Sequence, residues 1–298
     1  MNHDVGAIHV VQDVLGPLVP VFALVTQLGD VWFLLVVLST LFLADGRVPG
    51  FRDRIDRRAV AYVVALAIGG LALTAGLKLL VAYPRPPAGA VNGEWLPTPL
   101  VGFYVDVTAA EGYGFPSGHA FGATVVYGGL ALVYGDSVSR RRLLGAGVLA
   151  GVVGFSRVAI GVHHLLSVLG GFGLGVAYLA LATKATDNGR QVGIAFLLAV
   201  LAGVFALFAG GYERDPVIAL GMALGGRLTW QVAGDRIAAA SLSARKSGVL
   251  VVGGLTVIGG LFGGMEALEP ALPVTFLLSA GIVAVLLVLP VVASERKR

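Results

Sequence analysis

The sequence predicts an all-α protein, a polytopic transmembrane helical bundle of about nine spans. Its composition is the first reason: of 298 residues 57% are hydrophobic and only 13% charged, with a mean hydropathy of +0.88, whereas soluble domains carry about 25% charged residues. The second is a recurrence of apolar runs near the roughly 20 residues that cross a bilayer. They fall at approximately 22–44, 60–82, 117–135, 143–162, 165–183, 191–210, 216–233, 249–265 and 272–292. The third is charge alternation. Segments 45–59, 136–142, 184–190, 234–248 and 293–298 hold 5, 3, 2, 3 and 3 of the 21 Lys and Arg, whereas the intervening connections hold only Arg85 and Arg214. Basic residues in short loops favour the cytoplasmic side. A multi-pass cell-membrane protein is therefore expected, with its N-terminus outside and its C-terminus cytoplasmic.

Taken in order, residues 1–21 contain no Lys or Arg, so they lack the basic start of a cleavable signal. Asp4, Asp13, Pro17 and Pro20 argue against a span, and an outer-surface amphipathic segment is expected there. The first run, 22–44, contains one acid, Asp30. The second closes on Lys78, after which Pro84, Pro86 and Pro87 end the helix and hold Arg85 on a stiff, extended turn. The third opens at Pro116-Ser117-Gly118-His119 after a long loop. A helix starting there offers unpaired N–H groups and the positive end of its dipole to an anion. Ser117 adds a hydroxyl, Gly118 permits close approach to the backbone, and His119 joins from the first turn.

The fourth run carries Ser156-Arg157 and, six residues on, His163. On a continuous helix Arg157 and His163 are about one and two-thirds turns apart. A guanidinium this deep reads as a bidentate ligand for phosphate or carboxylate, or as the partner of an intramembrane acid such as Asp30. His164 points elsewhere and is expected at the interface. The seventh run is the weakest, because it is short and contains Arg227. Dropping it would scramble the charge alternation. The charge map puts Lys78, Arg85, His119 and His163 at one membrane face, the outer one. With no cysteine, thiolate metal ligands are excluded, and no cofactor, metal or nucleic-acid partner is expected.

These three stretches, Lys78…Arg85-Pro86, Pro116-Ser117-Gly118-His119 and Ser156-Arg157…His163, resemble the three-part signature of the type 2 phosphatidic acid phosphatase (PAP2) family, itself similar to vanadium haloperoxidases. The resemblance covers residues 78–167. It implies that His163 attacks phosphorus to give a phosphohistidine, that His119 protonates the leaving oxygen, and that Lys78, Arg85, Ser117, Gly118 and Arg157 hold the phosphoryl oxygens. Three cations and a helix N-terminus suit such a transfer without a metal. The family also places an aspartate four residues after the nucleophile, where this chain has Ser167. If 163 and 167 share a helix face, Ser167 can orient the imidazole but supplies no negative charge, which would attenuate activity; Asp106 or Glu111 are the candidates to substitute. The resemblance divides the chain into the surface segment 1–21, a five-span PAP2-like catalytic core 22–183 and a four-span extension 184–298.

The function expected is hydrolysis of a lipid phosphate monoester or pyrophosphate at the outer face. The alternatives are a lipid phosphotransferase using the same residues, and a weakly active or non-catalytic lipid-phosphate binder or transporter. Membrane lipids are the expected partners. Glycine pairs such as Gly221 with Gly225 and Gly259 with Gly263 suit close helix packing, within the bundle or in a homodimer.

Overall fold

A computed structural model describes residues 8, 10–12, 14–45, 47, 48, 51, 55–86, 101, 102, 112–135 and 137–294. Asp4, Asp13, Pro87, Asp106 and Glu111 lie outside the described residues. The described chain is helical: α1 (Val19–Val25), α2 (Val31–Leu43), α3 (Arg57–Val81), α4 (Gly118–Val133), α5 (Arg140–Ala159), α6 (Leu165–Ala185), α7 (Val192–Gly210), α8 (Arg214–Ala239), α9 (Ala244–Leu268) and α10 (Leu272–Ala293).

Each of the nine apolar runs contains a helix, yet they are not nine equal spans. Six helices, α3, α5, α6, α7, α9 and α10, are individually long and apolar enough to cross a membrane. The first run is broken: Val19–Gly29 and Val31–Leu43 meet that measure only together, across a 47° bend. Asp30 causes the break, since its backbone is extended and its carboxylate accepts from Trp32 N at 3.3 Å, capping α2. Helix α4 has 16 residues, which is short for a span. Helix α8 is long, but Arg214, Asp215, Arg227, Asp235 and Arg236 make it polar.

Helix α3 is the hub, packing against α2, α4, α7 and α8. At 25 residues it is about 37 Å long, enough to cross the roughly 30 Å hydrocarbon layer. Asp56 caps its start, accepting from Ala59 N at 2.7 Å. Beside that cap, buried Arg57 donates to Phe42 O at 3.2 Å and to the carbonyl of Ala240, and pairs with Asp45 at 3.0 Å, which ties α2, α3 and α8 together. Satisfying so many acceptors is what makes a buried guanidinium tolerable there.

Helix α8 lies against α10 through small residues. A β-carbon at Gly221 would meet Phe276 O at 2.6 Å, and one at Gly225 would meet Ala280 O at 2.1 Å, so the first glycine pair serves packing within the bundle. Gly259 and Gly263 have nothing within 4 Å of an added β-carbon and face open space. The ends of α3, α5 and the starts of α4 and α6 meet at one end of the bundle. There α1 packs across the α5–α6 turn, with Val19 and Ala23 buried against Ile160 and Val162. Ile8 is also buried at this end, among Ala120, Val158 and Val168.

Candidate active site

The start of α4 is built by an N-cap and a glycine-permitted approach. Ser117 is extended and fully buried, and its Oγ accepts from Ala120 N at 3.5 Å. Its own N–H donates to Ser167 O at 2.9 Å, fixing α4 on α6. The approach is possible because α6 carries Gly170 and Gly171 here. A β-carbon at Gly171 would lie 2.7 Å from Ser117 O, and one at Gly170 would lie 2.3 Å from the Phe115 ring. Ser117 therefore caps the helix, and it is Gly118 and His119 that reach the cavity beyond it.

The end of α5 departs from a continuous helix. Gly161 takes φ +77, and Val162 N and His163 N both turn back to Arg157 O, at 3.2 and 3.3 Å. His163 thus stands in a five-residue turn between α5 and α6, and the expectation of one helix carrying Arg157 and His163 is corrected. So is the shared helical face of 163 and 167. Ser167 lies in the first turn of α6, with its Oγ buried and without a partner, and His163 Nδ1 is likewise buried and unpartnered.

Lys78, Arg85, Gly118, His119, Arg157 and His163 line one cavity of about 310 Å³. Lys78 comes from the last turn of α3, and its Nζ would be 4.0 Å from a β-carbon on Gly118. Arg85 donates to Gly112 O at 3.1 Å, to Val162 O at 3.0 Å and toward His163 Nε2 at 3.1 Å. A guanidinium has donors only, so His163 Nε2 is the accepting nitrogen and Nδ1 carries the proton. Burial, then the nearby charges of Arg157, Arg85, Lys78 and His119, hold the His163 imidazole well below its ordinary range, which keeps it neutral at pH 7. Burial also lowers Arg85, which stays a cation.

Two groups from the N-terminal segment meet the charged residues of the cavity. Arg157 donates to Thr26 Oγ1 at 3.0 Å. The Asp30 carboxylate, anticipated as a partner for Arg157, makes its close contact with His119 instead, Oδ2 to Nε2 at 3.5 Å. Asp30 was legible as a helix cap because an acid follows Gly29 before an apolar run; its proximity to His119 was not. The C-terminal half contributes Asp215 and Met222 to the lining, and no local motif in the sequence marks either. His164, expected at the interface, is 7% exposed and stacks edge-on with Tyr83 at 5.5 Å.

Away from its charged end the cavity becomes apolar, bounded by Leu34, Leu35, Ala67, Ile68, Leu71 and Val126. From Lys78 to Ala67 is eleven residues of α3, about 16 Å of helix. Among the described residues no group of three or more His, Cys, Asp or Glu is clustered for metal binding.

Comparison with known proteins gives this constellation a lineage. Residues 58–191, which contain all three motifs, match the PAP2 superfamily. This segment belongs to the PAP2 superfamily. The chain is also 41% identical over 106 residues to phosphatidylglycerophosphatase B of Bacillus subtilis (strain 168). That alignment covers 34% of this chain and 52% of the relative, so the chain spans about half the length of the curated protein it matches. No solved structure matches. The PAP2 segment thus supplies Lys78, Arg85, His119, Arg157 and His163, whereas Asp30 and Asp215 reach the cavity from outside it and Thr26 holds Arg157 from behind. The match and the six helices long and apolar enough to cross a membrane together mark a multi-pass membrane protein that carries a PAP2 segment.

Proposed function

We propose that the protein hydrolyses the terminal phosphate of a lipid phosphate monoester or pyrophosphate, without a metal, through a phosphohistidine on His163. The observation that carries this is the two-part cavity, in which three cations and two imidazoles at one end open into an apolar arm whose lining reaches Ala67, about 16 Å along α3 from Lys78. A phosphate at the charged end leaves room for a tail in the arm. The name of the relative makes a phosphatidylglycerophosphate-like lipid the first substrate to try, with phosphatidate-like and polyprenyl pyrophosphate lipids after it. The basic-residue alternation over nine segments supports an outward-facing site.

The chemistry follows from the donors. An arriving phosphate draws Arg85 from His163 Nε2 and shares it with Arg157, Lys78 and the N–H groups opening α4. This neutralises the equatorial oxygens and uncovers the imidazole lone pair. Nε2 attacks phosphorus as the bond to the alcohol oxygen breaks, and His119 gives that oxygen its proton. The Asp30 carboxylate holds the His119 ring and offsets the positive charge of Arg157 beside it. Water then attacks phosphorus and loses its proton to His119, and the P–N bond breaks to release phosphate and neutral His163. With Ser167 in place of an acid, His163 Nδ1–H has no carboxylate to lean on, so the first step is slow.

The unpartnered His163 Nδ1 and Ser167 Oγ also favour a second reading, a lipid-phosphate binder with little turnover. One experiment separates the two. Detergent-solubilised protein is assayed in chelator against the three lipid classes, alongside His163→Ala. Phosphate release abolished by the substitution supports hydrolysis. Headgroup-selective binding without release, even after Ser167→Asp, contradicts it. Transfer to an added alcohol in place of water would identify a phosphotransferase.

A further inference from the structure

The molecule has a second and larger cavity, about 790 Å³, that the hydrolytic reading does not use. It lies between α4, α5 and α6. Helices α5 and α6 are joined by a short turn and both pack on α4, yet they diverge from each other, leaving a wedge whose floor is α4. The three walls follow helical spacing: Thr124, Gly128 and Leu132 on the floor, Ala146 with Ala150 on one side, and Val176 with Ala180 on the other. Gly147 and Gly151 also line it, and neither has an atom within 4 Å of an added β-carbon, so the α5 wall is open. At the catalytic end the wedge is closed by Phe172, whose ring fills the space a β-carbon on Gly154 would take. The far end is polar, with Thr183, Lys184 and Asn188. Lys184 is exposed there, and neighbouring Asp187 pairs with Arg190 at 3.4 Å.

We infer that this wedge binds one anionic phosphodiester lipid of the leaflet opposite the catalytic cavity, its acyl chain between α5 and α6 and its headgroup on Lys184. Length and charge both favour this occupant. From Phe172 to Thr183 is eleven residues, about 16 Å of helix, against about 15 Å for one leaflet of a roughly 30 Å hydrocarbon core. Among the described residues lining the cavity the charged ones are Lys184 and Asp187, the latter already paired with Arg190, and a basic headgroup site beside the membrane surface selects anionic lipids. A helix from a second copy would meet a concave wedge narrower at one end, closed by Phe172, rather than a flat small-residue face.

The test uses the full chain in detergent, exchanged into mixed micelles of equal dioleoylphosphatidylglycerol and dioleoylphosphatidylcholine, then washed. Lipid retained per protein is read by native mass spectrometry. The phosphatidylglycerol is a diester and offers the catalytic cavity no terminal phosphate. The wild type and His163→Ala are expected to retain it at least fivefold over phosphatidylcholine. Gly147→Leu and Gly151→Leu, which enter the wedge from positions where a β-carbon meets no atom, are expected to lose at least four-fifths of it, while Gly173→Leu, equally open at the β-carbon but outside the wedge, retains it. Lys184→Gln is expected to bind the two lipids equally. A Gly151→Leu protein that elutes as the wild type and keeps its lipid overturns the inference. So does equal retention of both lipids by the wild type, or a wild-type dimer that Gly151→Leu dissociates with no lipid bound.

Discussion

Replacing Asp30 by Asn removes its charge but not its cap, because Asn caps a helix as well as Asp does and α2 keeps its start. What is lost is the carboxylate 3.5 Å from His119 Nε2. The pair is a close ionic contact without hydrogen-bond alignment here; once aligned on bound substrate it contributes the about 1.5–3 kcal/mol of a hydrogen bond to a charged group. At 1.36 kcal/mol per tenfold, its removal from the transition state slows the proton donor's step by about 10- to 150-fold. The loss should depend on the leaving group. A lipid alkoxide must be protonated as it departs, whereas a nitrophenolate leaves without help. The assay therefore compares kcat of wild type and Asp30→Asn on a lipid phosphate and on p-nitrophenyl phosphate in the same micelles. A large loss on the lipid with little on the aryl ester is expected, and His119→Asn should show the same asymmetry more strongly. Equal losses on both substrates would refute the assignment of Asp30 to His119 as proton donor and leave it a structural cap.

Three other outcomes follow from the same geometry. Ser167→Asp places a carboxylate in the first turn of α6, where the helix dipole favours it, four residues after His163, whose Nδ1 is buried and unpartnered; a rise of about tenfold in kcat is expected if the two form a charge-assisted hydrogen bond, and an unchanged kcat in folded protein counts against the missing acid as the limit. Gly171→Val drives a side chain into Ser117 O, which a β-carbon alone would approach to 2.7 Å; activity should fall at least 100-fold while Gly173→Val, in open space, stays near wild type. Finally, because the folded-state His163 titrates well below its unfolded value, the folded protein takes up fewer protons there than the unfolded chain as pH drops below about 6.5. Stability is thus unaffected by this group above that pH and is progressively lost below it. Thermal unfolding of His163→Gln should lack that part of the acid sensitivity.

Much of the site is written in short motifs, which is why Lys78, Arg85, Gly118, His119, Arg157 and His163 could be read in advance and meet in one cavity. Apolar runs near 20 residues likewise mark helices, since a chain in lipid has few other ways to satisfy its backbone. What escaped is where the helices bend. Gly29-Asp30 splits the first run, and Gly161 turns the chain before His163; both are single residues inside hydrophobic surroundings, where periodicity is silent. The contributions of Thr26, Asp30 and Asp215 come from distant segments and depend on packing, so no spacing rule reaches them. Ser117 illustrates the converse: the motif is right, but the hydroxyl serves the helix cap. Helix α8 is a further case. Its charges make it look like the weakest span, while its buried glycines make it the inner partner of α10.

Trapping the covalent intermediate tests the central claim most directly. Enzyme mixed with radiolabelled lipid phosphate is quenched in alkali within one turnover and its peptides mapped by mass spectrometry. Phosphate on the peptide bearing His163, absent from His163→Ala and increased in His119→Asn given a nitrophenyl ester, is the predicted result. Rapid phosphate release with no label on His163 at any time would contradict the account.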